Sequence, residues 1–144
     1  VLTMSLYCLV YVSLATQEMS DEHLKSMLKK ARDNNEKLNI TGMLLFRDGF
    51  FMQALEGEQD KIDALFAKIA QDSRHKDVLL IYKKPIKQRS FEKWTMGFNK
   101  IDNKTLECVD GYCDFLQNPT PDFFKYKASE AESLLDEFKH QLFF

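Results

Sequence analysis

The clearest pattern of apolar positions along the chain lies in residues 39–57, NITGMLLFRDGFFMQALEG. Asp48 and Gly49 divide this segment into two apolar runs. This dipeptide favours the type I′ turn of a β-hairpin, which needs positive φ at both central residues. Counting outward from the turn predicts that Leu44 lies opposite Gln53. Both faces of the predicted hairpin are apolar, so we expect it to lie in the centre of a sheet that is covered on at least one side.

Gln53 is the one polar residue on its face of the hairpin, which it shares with Leu44, Phe46, Phe51 and Leu55. A buried primary amide is costly unless it is hydrogen-bonded, so Gln53 needs a partner. A backbone group or a water molecule could be that partner, and so could a ligand bound in the core. The pattern alone leaves both explanations open.

The remaining pattern predicts two helices and three further strands around the hairpin. Strands are indicated at Leu6–Ser13, Val78–Tyr82 and Trp94–Phe98. Apolar residues recur at i, i+3, i+4 and i+7 in two segments, which is typical of helices that bury one stripe on a sheet. These residues are Leu24, Met27, Leu28 and Ala31 in the first helix, which follows the N-cap candidate Ser20, and Ile62, Leu65, Phe66 and Ile69 in the second.

The order of these elements is β-α-β-β-α-β-β, and its first six members have the ferredoxin-like order. We therefore predict an α+β fold of ferredoxin-like βαββαββ type, with a five-stranded mixed sheet and both helices on one face. Lys83–Arg89 is predicted to be a solvated loop. We expect one domain at 5–100 and a helical extension at 101–144, whose C-terminal helices would lie on or near the other face of the sheet.

Composition narrows the function without defining it. The chain has 144 residues, of which 44% are hydrophobic and 29% charged, as in an ordinary globular protein. Its net charge of -2 gives no electrostatic argument for nucleic acid or an acidic membrane surface. No apolar run is long enough to span a bilayer, and no secretory signal is present. With three cysteines that lack metal-like spacing, these features predict a cytoplasmic protein.

Motifs of common enzyme and metal sites are absent from the sequence, including GxGxxG, the P-loop, HExxH and the nucleophile elbow. What remains is a set of polar residues predicted to face the space between helices and sheet: Tyr11, Asn34, Asn35 and Gln53. Their side chains do not titrate near neutrality, and they suit a planar heteroaromatic ligand with donors and acceptors at its edge. Two plainer explanations stay open: Tyr11 taken alone fits a core tyrosine, and the asparagines could cap the end of the first helix.

Taken together and in order, several short motifs resemble the BLUF family of blue-light sensors that use flavin. The resemblance spans Ser5–Asn99, and it departs from the family pattern where Thr95 replaces the usual serine. The motifs are LVYVS with Tyr11 at the photoactive tyrosine, Asn34 and Asn35 before ITG, FFMQALEG with Gln53, DSRH with Asp72, Arg74 and His75, and WTM with Trp94 and Met96.

The resemblance implies FAD, bound non-covalently between the two helices with its ring over the sheet. Asn35 would bond the pyrimidine edge of the ring, and Gln53 would lie between Tyr11 and the flavin. The other implied cofactor-binding residues are Asn34, Lys68, Asp72, Arg74 and His75. The implied photoactive residues are Tyr11, Gln53, Trp94 and Met96.

The family mechanism implies that blue light moves an electron and then a proton from the tyrosine toward the flavin through the glutamine. Both return, the amide of Gln53 is left rearranged, and the flavin absorption shifts to the red. We therefore expect a photoreceptor without enzymatic activity, in a homo-oligomer that passes its signal to a downstream signalling protein. The alternatives are a flavin-dependent redox enzyme, which would oxidise NAD(P)H at catalytic rates, and a ferredoxin-like interaction module, which would be colourless.

Overall fold

A computed structural model describes residues 6–91 and 96–100 of the chain, together with Leu135. These residues form five strands and two helices: β1 (Leu6–Ala15), α1 (Asp21–Leu38), β2 (Thr41–Arg47), β3 (Phe50–Glu58), α2 (Gln59–Gln71), β4 (His75–Pro85) and β5 (Gly97–Lys100). Within these ranges, neither helix combines the length and the apolar character needed to cross a membrane.

The strands form one sheet in the order β4-β1-β3-β2-β5. The three pairs formed by the first four strands in this order are antiparallel, and β5 is parallel to β2. The antiparallel part has the arrangement expected of a ferredoxin-like order, in which β1 and β3 occupy the centre. The predicted α+β class, with two helices on a ferredoxin-like sheet, is confirmed.

The β2–β3 hairpin has the predicted turn and register. Asp48 and Gly49 have φ values of 46° and 81°, as a type I′ turn requires. Leu44 is paired with Gln53, and every residue of β2 is buried. The hairpin is central because both of its faces are apolar and both are covered.

Helix α1 begins where the sequence predicted and ends several residues later than the asparagine pair. Ser20 is its N-cap, and the Ser20 hydroxyl accepts a hydrogen bond from the His23 backbone N–H at 3.1 Å. At the other end, Asn39 takes the left-handed conformation with φ 55° and caps the helix. Asn34 and Asn35 therefore lie inside the helix, and the interpretation that they cap it is wrong.

Both helices pack on the same face of the sheet. On that face the buried hydrophobic residues are Leu9, Tyr11, Leu24, Leu28, Ile40, Leu44, Phe46, Phe51, Leu55, Ile62 and Met96. The opposite face has its own core, made of Cys8, Val10, Val12, Met43, Leu45, Phe50, Met52, Ala54, Phe91 and Leu135. Because successive strand residues point to opposite faces, the central strands β1 and β3 contribute to both cores.

Three strands differ from their predicted bounds. β1 continues two residues beyond its predicted end, to Ala15. β4 runs from His75 to Pro85 because it pairs with nearly the whole of β1, from Ala15 to Tyr7. Part of the segment predicted as a solvated loop is therefore strand. β5 begins at Gly97, three residues after the predicted start.

Several predictions fall on residues that the structure does not describe. Trp94 and Thr95 are among these residues, as are 101–134 and 136–144. The C-terminal helices and the division of the chain at residue 100 stay predictions. Leu135 itself is buried in the core on the face away from α1 and α2.

Candidate functional site

A cavity of about 210 Å³ lies between α1, α2 and the helix-bearing face of the sheet. Its polar lining consists of Tyr11, Lys30, Asn34, Asn35, Gln53, Lys68, Asp72, Arg74 and His75. Its apolar lining consists of Met27, Leu28, Ala31, Leu44, Phe51, Leu65, Ile69 and Met96. Every site residue predicted from the sequence lines this cavity, apart from Trp94, which lies outside the described residues.

Tyr11 and Gln53 form a hydrogen-bonded pair in the floor of the cavity. They are directly paired positions of β1 and β3, and the Tyr11 hydroxyl donates to Oε1 of Gln53. Only 1% of Tyr11 and 7% of Gln53 is exposed. Burial, with a smaller contribution from the negative charge of Asp72, raises the pKa of Tyr11 well above its usual range. Tyr11 is therefore a neutral phenol whose hydroxyl donates a hydrogen bond to Gln53.

The other end of the Gln53 amide faces Met96, just before β5. Gln53 Nε2 donates to the Met96 sulfur Sδ at 3.3 Å. Gly42 makes this packing possible: a Cβ there would lie 2.0 Å from the Ala54 carbonyl oxygen and 3.3 Å from the Met96 methyl carbon. The glycine of the ITG motif is thus required by close approach of β2 to β3 and Met96. The Gln53 amide bridges a donor on one side and an acceptor on the other.

The two asparagines of α1 have different environments. Asn35 is 1% exposed, and its Oδ1 accepts no hydrogen bond from any described residue, although its backbone carbonyl accepts from Ile40 N–H at 2.8 Å. Asn34 is exposed at the rim of the cavity. Consecutive helical residues point about 100° apart, so both amides could not enter the core as the sequence analysis allowed. A buried amide oxygen beside a cavity fits a ligand that offers an N–H group.

A polar corner where α2 leads into β4 forms the other end of the cavity. Two nitrogens of Arg74 donate to the Asp72 carboxylate: Nη2 to Oδ2 at 2.6 Å and Nε to Oδ1 at 3.0 Å. This pairing lowers the pKa of Asp72 to about 2 and raises that of Arg74. His75 Nδ1 lies 2.8 Å from the Ser13 hydroxyl, and burial lowers the His75 pKa. The corner is therefore ordered by its own hydrogen bonds.

Lys30 is a cavity residue that the sequence analysis missed. It lies one turn before Asn34 on α1, at the i, i+4 spacing that places two helical residues on one side. That spacing was the signal that could have identified it. With Lys68 and Arg74 it makes three cationic side chains on the lining, which fits the anionic part of a dinucleotide.

A second polar cluster, outside the cavity, was also missed. The buried Glu56 carboxylate accepts from the Thr41 hydroxyl at 3.0 Å and from the backbone N–H groups of Ser90 and Phe91 at 2.7 and 2.9 Å. Arg89 donates to the Thr41 hydroxyl at 2.8 Å and to the Glu56 carbonyl at 2.9 Å. Arg89 was predicted to lie in a solvated loop. It instead connects the segment after β4 to the β2–β3 hairpin through these hydrogen bonds.

The family model described as "BLUF: Sensors of blue-light using FAD" matches residues 6–97. The chain belongs to the BLUF family. It is therefore a blue-light sensor whose cofactor is FAD, and the cavity is of the right chemical character to receive a flavin. The matched range contains both helices, strands β1 to β4 and all residues of the cavity lining.

Relatives with similar sequences are much longer proteins. The chain is 41% identical over 93 residues to a photoactivated adenylate cyclase subunit beta of Euglena longa, covering 64% of this chain and 11% of that relative. It is 43% identical over 86 residues to the subunit alpha of Euglena gracilis, covering 60% of this chain and 8% of that relative. The chain thus spans about a tenth of the length of these curated relatives.

Solved structures with a similar fold include both short and long proteins. The ground state of BlsA matches with a TM-score of 0.74 and 29% identity, covering 93% of this chain and 87% of that one. The dark state of BlrB, a BLUF protein, matches with a TM-score of 0.69 and 27% identity, covering 91% and 99%. A bacterial light-regulated adenylyl cyclase matches with a TM-score of 0.71 and 29% identity, covering 92% and 36%.

Proposed function

We propose that this blue-light receptor holds FAD non-covalently in the cavity between α1, α2 and the sheet, and that its signal is a rearrangement of the hydrogen bonds of Gln53. One observation carries the proposal: the Gln53 amide lies in the cavity floor between the hydroxyl of Tyr11 and the sulfur of Met96. An amide in this position can exchange a donor for an acceptor toward a bound ligand without moving the backbone.

The binding roles follow from the environment of each residue. Asn35 offers a buried amide to the polar edge of the flavin ring, and Asn34 contacts the ligand from the rim. The positive charges of Lys68 and Arg74 face the diphosphate, and His75 closes the cavity beside them. Asp72 acts on the ligand through Arg74, because its carboxylate holds that guanidinium in place.

The switch depends on what each neighbour of Gln53 can donate or accept. When bound, FAD would supply the absorption of blue light and the redox chemistry of the flavin. The Tyr11 phenol would lose an electron and, along its hydrogen bond to Gln53 Oε1, a proton, and both would return to Tyr11 within the same cycle, so that no net oxidation remains. If the amide then rotates, Oε1 faces the Met96 sulfur, which is an acceptor only, so this contact is lost. Tautomerisation of the amide, with or without rotation, likewise changes the donor that Gln53 presents to the ligand.

We propose that the output passes through β5 and the segment after residue 100 to a downstream signalling protein. The changed contact to Met96 lies next to Gly97, the first residue of β5, and supports this route. Trp94 belongs to the same segment. The adenylate cyclase relatives carry a light sensor of this family within a longer protein, and we propose that this domain is their sensing counterpart without catalytic activity of its own. It would act in the cytoplasm as a homo-oligomer.

Hydrogen exchange in the dark and under light tests the output route. We expect the protection of backbone amides to differ in residues 94–98 or after Leu106. Differences confined to α1 would contradict this route while leaving the light response itself intact.

An absorption spectrum before and after blue illumination tests the function itself. We expect a yellow protein that releases FAD on heating, with a flavin band that shifts to the red in light and returns in the dark. A flavin spectrum that light leaves unshifted would refute the hydrogen-bond switch. Steady oxidation of NAD(P)H would instead support the redox enzyme.

A further inference from the structure

Arg32 on α1 holds the backbone of Met96 through two hydrogen bonds. Its Nε and Nη2 donate to the Met96 carbonyl oxygen at 3.0 and 2.8 Å. Two charge-assisted donors on one oxygen define its position more tightly than a single neutral contact would. The two residues are 64 positions apart in the chain. Arg32 thus binds the backbone of the same residue whose side chain contacts Gln53.

Met96 is therefore held at both ends. Its carbonyl is bound by Arg32, its sulfur accepts from Gln53 Nε2, and its methyl carbon packs toward Gly42. The next residue, Gly97, is paired with Met43 of β2. A methionine side chain has three rotatable bonds and fills space adaptably, so its sulfur stays near one atom only when its surroundings fix it.

We propose that Arg32 is a positioning residue of the light switch. By fixing the Met96 backbone, it keeps the sulfur within reach of Gln53 Nε2. A thioether accepts hydrogen bonds and cannot donate them, so a fixed sulfur favours the amide orientation in which Nε2 faces Met96 and Oε1 faces Tyr11. Arg32 thereby stabilises the dark arrangement through Met96. The proposal rests on the hydrogen-bond switch proposed above.

The location of Arg32 on α1 gives this contact a second consequence. Leu28, Ala31 and Asn35 of the same helix line the cavity, and Arg32 binds the Met96 carbonyl, one residue before β5. The helix that forms one wall of the cavity is thus tied to the segment proposed to carry the output. Because Arg32 holds the Met96 carbonyl, it opposes any displacement of Met96 that accompanies a change in the contact between Gln53 and Met96. We therefore expect Arg32 to affect how quickly the dark state returns.

The variant Arg32→Gln tests the contact in the dark, in the FAD-loaded protein labelled with ¹³C at its methionine methyl groups. We expect the Met96 methyl resonance to move or broaden, while Met43 and Met52, on the opposite face of the sheet, keep their parent positions. Lys29→Gln is the matched control, because it removes a cation from an exposed position on the same helix. An unmoved Met96 resonance in Arg32→Gln would overturn the proposal, whether or not the protein responds to light.

A double-mutant cycle with Met96→Leu tests whether Arg32 acts through Met96. In the parent background, we expect Arg32→Gln to change the rate constant of dark recovery by roughly threefold to tenfold, with Arg32→Lys between it and the parent. In the Met96→Leu background, the same change should have little effect. Equal effects in both backgrounds would overturn the proposal. A parent protein with no red shift would refute the proposed function instead, and the methyl spectra in the dark would still decide whether Arg32 positions Met96.

Discussion

Tyr11 lies directly opposite Gln53 on the two central strands, and its hydroxyl donates to the amide oxygen across the strand pair. Directly paired residues of an antiparallel sheet have side chains on the same face a few ångströms apart. The contact is therefore fixed by the register of β1 and β3, and no loop has to position it. Both residues of the pair are buried.

Replacing Tyr11 with Phe should separate photochemistry from flavin binding. The ring still packs against Phe66, 5.4 Å away between centroids, so we expect a folded, yellow protein. The hydroxyl that donates to Gln53 is lost, and with it the normal red-shifted light state. Difference spectra between dark and light measure this, with Tyr7→Phe as the control from the same strand. A parent-like shift in Tyr11→Phe would rule out the role proposed for Tyr11.

Local turn chemistry and the two-residue period of strands were enough to predict the hairpin. Asp48 and Gly49 determine the turn, and the turn determines which residue faces Gln53. The same alternation placed Tyr11 on the helix-bearing face of the first strand. The pairing between β1 and β3 joins residues 42 apart in sequence, and periodicity alone carries no information about it. The ferredoxin-like order of the elements and the resemblance to the BLUF family, which places Gln53 beside Tyr11, indicated that these strands are neighbours.

Other features could not be predicted because they depend on contacts between distant segments. The length of β4 is set by its partner β1, and its own sequence contains lysines and a proline that indicate a loop. In the sequence, Arg89 is indistinguishable from a solvated cation, because its partner Thr41 and the buried Glu56 lie far from it in the chain. Arg32 lies among other charged residues of α1, and nothing in its spacing identifies the Met96 carbonyl as its acceptor.

The asparagine pair offers a matched test of the cavity. Asn35→Ala removes a buried amide, so we expect flavin affinity to fall by on the order of 1 kcal/mol or more. Asn34→Ala removes an exposed amide at the rim and should cost clearly less. Titration of each variant with FAD, or the rate at which flavin is lost on dilution, gives the comparison. Equal losses would show that burial does not separate their roles, and an unchanged Asn35→Ala would mean that the flavin ring binds elsewhere.

Glu56 should be required for stability and not for flavin binding. Its carboxylate accepts hydrogen bonds from Thr41, Ser90 and Phe91, and only 1% of the residue is exposed. Glu56→Ala leaves those donors without their acceptor, so we expect the free energy of unfolding to fall by roughly 2–4 kcal/mol.

Urea unfolding of the variant beside the parent measures this loss. The control is Glu58→Ala, which removes a carboxylate two residues later on the same strand, where it forms only a 3.6 Å ion pair with Lys61. A surface pair of this kind contributes little, so the control should unfold close to the parent. If both variants lost the same stability, the buried network would not be the reason for it.

Gln53→Leu gives the sharpest test of the switch. Leucine has a similar volume and suits the apolar residues of this face, so we expect the variant to fold and to keep its flavin through Asn35 and the cationic residues. Both contacts of the amide, to the Tyr11 hydroxyl and to the Met96 sulfur, are removed together, which leaves no group that can change its donor toward the ligand. The light-induced red shift should vanish.

Met52→Leu is the control, because Met52 precedes Gln53 on β3 but points into the opposite core, where a volume-conserving change is well tolerated. Dark-minus-light spectra of the two variants and the parent decide the matter, and a parent-like shift in Gln53→Leu would show that this glutamine is not the switch.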